Sequence, residues 1–204
     1  GDYRLIALAP ASVQEMADFV GLAFDLAFKY RNPAIILADG VIGQMMEKVV
    51  LPEQRPRLTN EEVMARCPWA TFGKLKHRGP NIVTSLELDP AEMEKRNIHL
   101  QQKYAEIEEK EVRYEEIHCD DAEYLIVAFG SCARIAQKAM EEARAEGIKV
   151  GLLRPITLWP FPSKAIAERS RQVKGILTVE LNAGQMVEDV RLAVECKVPV
   201  EYFG

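Results

Sequence analysis

The chain has 204 residues, is 48% hydrophobic and carries a formal charge of -5, with a pI near 5.4. That is enough chain to bury a core in one large or two small domains, and basic residues scattered among acidic ones exclude a protein that grips nucleic acid with a basic face. No apolar run approaches the ~20 residues that span a bilayer and no leader pattern stands near Gly1, so the expectation is a soluble, cytoplasmic protein with neither a nucleic-acid nor a membrane partner.

The first 40 residues read as a β-α-β unit. Leu5 to Ala9 and Ile35 to Ala38 are short apolar runs, and between them Val13, Met16, Ala17, Val20, Phe24 and Ala27 recur at helical spacing. Ser12 and Glu15 have the spacing of a capping box, and Arg31-Asn32-Pro33 stops the helix. The two strands should be parallel. Two parallel strands have too little core to stand alone, so the chain is expected to begin inside a larger domain.

From Pro52 to about Pro90 the periodicity dissolves into proline, glycine and charge, the pattern of a connector over a surface. One long helix is then predicted from Pro90, which suits a first helical position because it has no N–H to satisfy, to about His118. Met93, Leu100, Tyr104, Ile107 and Tyr114 would form its narrow apolar stripe, for packing against this chain or a partner.

After Asp120-Asp121 strand and helix patterns alternate: strands at Tyr124 to Phe129, Val150 to Leu153 and Ile176 to Leu181, helices at Ser131 to Glu146, Pro162 to Gln172 and Gly184 to Cys196, and a further strand beginning at "VPVEYFG". This is the pattern of an α/β domain with a parallel core and helices on both faces.

Within it "VAFGSCARIAQKA" joins an apolar strand to a helix through Gly130 and Ser131. A helix start offers unpaired N–H groups to an anion, and Arg154 is a candidate partner for such a phosphate turn. The full glycine-rich nucleotide motifs are absent, however, and a glycine turn with a serine cap is also how a parallel sheet hands its chain to a helix. Cys132 falls both on the first turn, where the dipole lowers a thiol pKa, and on the apolar stripe, where it would only pack. "LLRPITLWPFP" has three prolines and reads as a rigid, non-sheet exit from its strand. Cys67, Cys119, Cys132 and Cys196 form no C-x-x-C pair, and His77, His99 and His118 have no ligand spacing, so no metal or cluster site is expected from this chain alone.

"LRPITLWPFP" and "LAPASVQEM" resemble the alpha subunit of 2-oxoacid:ferredoxin oxidoreductases, and the likeness covers essentially the whole chain. "NIVTSLELDP" followed by "QKYAEIEEKEVRYEE" is most similar to the 2-ketoisovalerate (branched-chain) member, with the 2-oxoglutarate enzyme second. The resemblance implies oxidative decarboxylation of a 2-oxoacid to an acyl-coenzyme A with reduction of ferredoxin. It implies thiamine diphosphate with Mg, and iron–sulfur clusters in partner chains of beta, gamma and delta type, with coenzyme A and ferredoxin as the other partners. It also implies a division of the chain. Residues 1–50 would end a thiamine-pyrimidine-type α/β domain, 51–121 would be a linker with its long helix, and 122–204 a transketolase C-terminal-like three-layer α/β/α domain. On this reading the chain is a C-terminal piece with no catalytic residue of its own and no cofactor bound by itself.

Asp39, followed by Gly40, lies just past the carboxyl end of its strand, where open α/β sheets build their sites. The segment from Asp39 to Gln44 is therefore a candidate to approach substrate or cofactor, against the alternative that Asp39 only caps its turn. Two other readings are carried beside the enzyme subunit: a nucleotide- or coenzyme A-binding module using Gly130, Ser131 and Arg154, and a structural assembly domain.

Overall fold

The structure, a computed structural model, describes residues 4–71, 73, 76 and 79–204; His77 lies outside them. The chain forms two units, one of residues 1–51 with 102–204 and one of residues 52–101.

The larger unit begins with β1 (Ile6–Leu8), α1 (Val13–Tyr30) and β2 (Ala34–Ile36), and β1 and β2 pair in parallel as the sequence predicts. Ser12 caps α1 by accepting the Glu15 N–H, and Arg31 closes it in the left-handed conformation (φ 46). The capping box is incomplete, because the Glu15 carboxylate accepts the Ala11 N–H rather than that of Ser12. The buried face of α1 also differs from the predicted stripe. Phe19, Leu26 and Tyr30 are buried while Val20 and Phe24 are exposed, since the polar residues occupy one narrow face and periodicity alone cannot choose which part of the wide apolar arc turns inward. A short helix, α2 (Gly40–Gln44), follows with Asp39 as its cap.

The smaller unit contains α3 (Asn60–Arg66), missed in the sequence although Thr59 and Glu62 form a complete capping box. α4 (Pro90–Lys110) starts in this unit, with the Asp89 carboxylate accepting the Ala91 N–H, and ends in the larger one. It stops eight residues short of the predicted end at His118. Ile107 packs fully buried with Ile6, Leu26 and Tyr30, whereas Tyr114 lies outside the helix, in the next strand.

That strand, β3 (Tyr114–Ile117), lies antiparallel on the edge of a sheet ordered β3-β5-β4-β7-β8, whose other members are parallel: β4 (Tyr124–Ala128), β5 (Val150–Pro155), β7 (Gly175–Val179) and β8 (Val200–Phe203). Alternate residues of these strands enter two cores, as strands covered on both faces must. Leu125, Val127, Leu153 and Ile176 meet Ile166 of α6 (Ser163–Ser170) and Met186, Val190 and Val194 of α7 (Met186–Val194). Ile126, Ala128, Val150 and Leu152 meet Cys132, Ala133, Ala136 and Met140 of α5 (Gly130–Ala145). The result is the expected three-layer α/β/α domain. Ala139 is exposed, so the inner stripe of α5 runs through Ala133 instead.

The proline-rich segment corrects the expectation of a non-sheet exit. β5 continues to Pro155, and β6 (Thr157–Trp159) crosses to the first sheet, pairing antiparallel with β1 in the order β2-β1-β6. Prolines at both ends leave a three-residue edge strand between them, where a missing donor costs little. Each sheet thus takes a strand from the other's side of the chain. Among the described residues no helix is long and apolar enough to cross a membrane.

Candidate functional site

The carboxyl ends of β2, β4 and β7 converge on a crevice of about 150 Å³ lined by Leu37, Ala38, Asp39, Phe129, Gly130, Cys132, Leu181 and Asn182. Two sequence candidates far apart in the chain meet here. Asp39 Oδ1 accepts the Ile42 N–H at 2.9 Å, capping α2, and Oδ2 accepts the Ser131 N–H at 2.9 Å at the start of α5. Burial alone would raise the Asp39 pKa, but the hydrogen bonds from Ile42 and Ser131 outweigh it and hold the carboxyl below its ordinary value. An ionised carboxylate therefore occupies the start of α5, where an external anion would bind.

Gly130 is required in two ways. Its φ is +60, and a Cβ there would come within 3.2 Å of Asp39 Oδ2, so no other residue lets the carboxylate reach the helix start without strain. Gly40 is different: it has ordinary φ and open space where a Cβ would stand, as does Gly43. The turn after β2 thus does not depend on Gly40.

The start of α7 is filled the same way by Glu180, a buried carboxylate that accepts the N–H groups of Met186 (2.8 Å) and Val187 (2.9 Å) and the Asn182 side-chain amide. Sequence reasoning passed over Glu180; an acidic residue ending an apolar strand just before a helix was the available signal. Cys132 is buried, and burial first, then the Asp39 and Glu180 charges, raise its thiol pKa. That is the opposite of an activated thiol.

Arg154 lies elsewhere, in a hollow of about 260 Å³ shared with Glu15, Glu47, Glu115, Arg134 and Gln137. Its guanidinium binds both Glu15 oxygens (2.8 and 2.9 Å) and Glu115 (2.9 Å). Burial would raise the Glu15 pKa, but Arg154 and the Ala11 N–H together bring it below the usual carboxylate range. The structure does not bring Arg154 to the Gly130–Ser131 turn. In the same hollow Arg134 reaches Glu47 at 2.7 Å, and the other Glu47 oxygen accepts the Val13 N–H at 3.0 Å.

Neither recess fits a metal-bound diphosphate. The crevice presents no cation, the arginines of the hollow are paired with carboxylates, and no group of three or more His, Cys, Asp or Glu among the described residues could hold a metal ion. Cys67, Cys119, Cys132 and Cys196 are free thiols, of which Cys119 and Cys132 are buried and Cys196 is exposed.

Residues 1–118 match the family described as pyruvate flavodoxin/ferredoxin oxidoreductase, thiamine diphosphate-binding, and residues 122–204 match pyruvate:ferredoxin oxidoreductase core domain II. Each matched segment thus gives one strand, β3 or β6, to the sheet of the other. Ketoisovalerate oxidoreductase subunit VorB of Methanothermobacter thermautotrophicus is 50% identical over 97% of this chain and 54% of its own length. 2-Oxoglutarate synthase subunit KorA of Archaeoglobus fulgidus is 32% identical over 100% of this chain and 58% of its own. The chain therefore spans little more than half the length of these curated relatives. The solved 2-oxoglutarate:ferredoxin oxidoreductase of Magnetococcus marinus superposes with a TM-score of 0.74 at 20% identity, over 97% of this chain and 39% of that one, which shows the shared fold.

Proposed function

The chain belongs to the pyruvate flavodoxin/ferredoxin oxidoreductase family, and from that premise we propose that it is part of the alpha-type subunit of a thiamine diphosphate-dependent 2-oxoacid:ferredoxin oxidoreductase acting on branched 2-oxoacids such as 2-ketoisovalerate. The observation that carries this reading is the 50% identity over 97% of the chain to a ketoisovalerate oxidoreductase subunit. The 2-oxoglutarate enzyme is the runner-up, supported by the 32% identity to 2-oxoglutarate synthase subunits. In the proposed reaction the 2-oxoacid loses carbon dioxide, its acyl group passes to coenzyme A, and two electrons pass through iron–sulfur partners to ferredoxin. Thiamine diphosphate and the clusters belong on this reading to the assembled complex with its beta, gamma and delta-type subunits. Free, partly buried thiols suit a reducing cytoplasm.

This chain's own contribution is architectural, with one segment turned toward the chemistry. Asp39 and Gly40 open α2 at the carboxyl end of β2, where ligands of open α/β sheets gather. The glycine is needed neither for backbone nor for packing, which fits close approach by a group from outside the chain. Gly40→Ala separates that role from a structural one: stability should hold while kcat/KM falls, and unchanged kinetics would remove Gly40 from the site.

The deciding experiment uses the full-length enzyme with its co-purifying partners, assayed for coenzyme A-dependent reduction of a redox dye. 2-Ketoisovalerate should give the highest kcat/KM among 2-ketoisovalerate, 2-oxoglutarate and pyruvate. Preference for 2-oxoglutarate would promote the runner-up, and no turnover by a complex carrying thiamine diphosphate and clusters would overturn the reading.

A further inference from the structure

We propose that the three-layer domain has a positioning role in the reaction: the start of α5, through Gly130, the Ser131 N–H and Arg134, fixes the Asp39–Glu47 segment at the carboxyl end of β2. This inference rests on the proposed function for what the segment does, but not for how it is held. Three residues of the segment bear on it, two through polar contacts and one through burial. Asp39 is divided between its own helix and the other domain, one oxygen on the Ile42 N–H and one on the Ser131 N–H, both at 2.9 Å. Ile42, in the middle, is 2% exposed. Glu47, at the far end, bridges Arg134 of α5 at 2.7 Å and the Val13 N–H at the start of α1 at 3.0 Å. Beyond it the Gln14 side chain binds the Val50 N–H (2.8 Å) and carbonyl (3.0 Å).

The segment is thus tied to α5 at both ends and, at its far end, to the first turn of α1. Its remaining surface, with Gly40, Val41 and Gly43, is left open. Charge-assisted bonds to backbone N–H groups are short and directional, so they fix where the segment lies as well as that it is folded. A displacement of about 1 Å at a reacting centre can cost on the order of a hundredfold in rate. The domain that holds no chemistry of its own therefore still bears on the rate, by locating the segment that does.

The test uses the full-length complex with Asp39→Asn, Arg134→Ala and Arg134→Lys. Asn keeps one acceptor but turns an N–H donor toward either the Ile42 or the Ser131 N–H. Hydrogen exchange in the peptide spanning residues 40–50 should accelerate about tenfold in Asp39→Asn, the equivalent of about 1.4 kcal/mol, and by a smaller factor in Arg134→Ala, whose ion pair with Glu47 is partly exposed to solvent. Exchange in α6 and α7 should be unchanged, and Arg134→Lys should restore protection. kcat should fall with the loosening and recover in Arg134→Lys, while KM for the 2-oxoacid moves less. Unchanged exchange in Asp39→Asn and Arg134→Ala would overturn the staple, and a loosened segment with unchanged kcat would overturn the positioning role. If the wild-type complex turns over no 2-oxoacid, the functional reading fails and the positioning role with it, while exchange still decides whether the staple exists.

Discussion

Glu111, in the turn between α4 and β3, allows a quantitative test of the packing. It is 4% exposed, and its carboxylate accepts from Lys29 (2.6 Å), the Tyr30 hydroxyl (2.6 Å) and Arg113 (3.0 Å). Burial alone would raise its pKa; the bonds from Lys29, Tyr30 and Arg113 reverse that and bring it down from 4.5 to about 2. A carboxyl depressed on folding stabilises the protein above its unfolded pKa and loses that contribution as pH falls through the folded one. The shift corresponds to about 3 kcal/mol, and screening at the half-exposed Lys29 reduces this to roughly 2 kcal/mol. Glu111→Gln should therefore lower the urea-unfolding free energy near pH 7 by roughly that amount. The gap between wild type and variant should narrow below about pH 4.5, with less than half remaining near pH 3, because the wild-type carboxyl gains its proton on unfolding there. Tryptophan fluorescence is a suitable probe, since Trp159 packs against the same core. A variant as stable as wild type at neutral pH, or a gap that stays constant down to pH 3, would refute the account.

Gly151→Ala should destabilise the protein by about 1–3 kcal/mol, measured by thermal or urea unfolding, because its Cβ would meet Ala122 Cβ, Cys119 Cα and the His118 carbonyl, each at 3.0 Å. A thiol reagent should label exposed Cys196 well before Cys119 and Cys132. Cys119 is doubly protected, since burial pushes its thiol up to about 11, and peptide mapping that finds it or Cys132 labelled as fast as Cys196 would contradict the packing.

The alternating apolar runs after Asp121 were legible because strands buried on both faces read as near-continuous Val, Ile and Leu. What failed was marginal by the same logic. β3 is a four-residue edge strand, Tyr-Glu-Glu-Ile, whose charged residues continued the preceding helix pattern. β6 is three residues between prolines, and α3 is seven residues with no buried side chain. At the site, the position of Asp39 after a strand could be read from local order. Its bond to Ser131 joins residues 92 apart in the sequence, and no local pattern encodes such a pairing. Arg154 was singled out for its charge, but its partners Glu15 and Glu115 come from elements whose approach only the folded sheets determine.

The exchange of strands between the two sheets also sets a timetable for synthesis. β1 leaves the ribosome some 150 residues before β6, its neighbour in the finished sheet (Ala7 beside Trp159), which at bacterial to eukaryotic translation speeds is a delay of roughly 8–30 s. Throughout that interval one edge of β1 has no ladder partner, and an open edge is a template for pairing with another chain. The nascent chain therefore has a window in which a chaperone or a neighbouring nascent subunit competes with β6 for the same backbone groups.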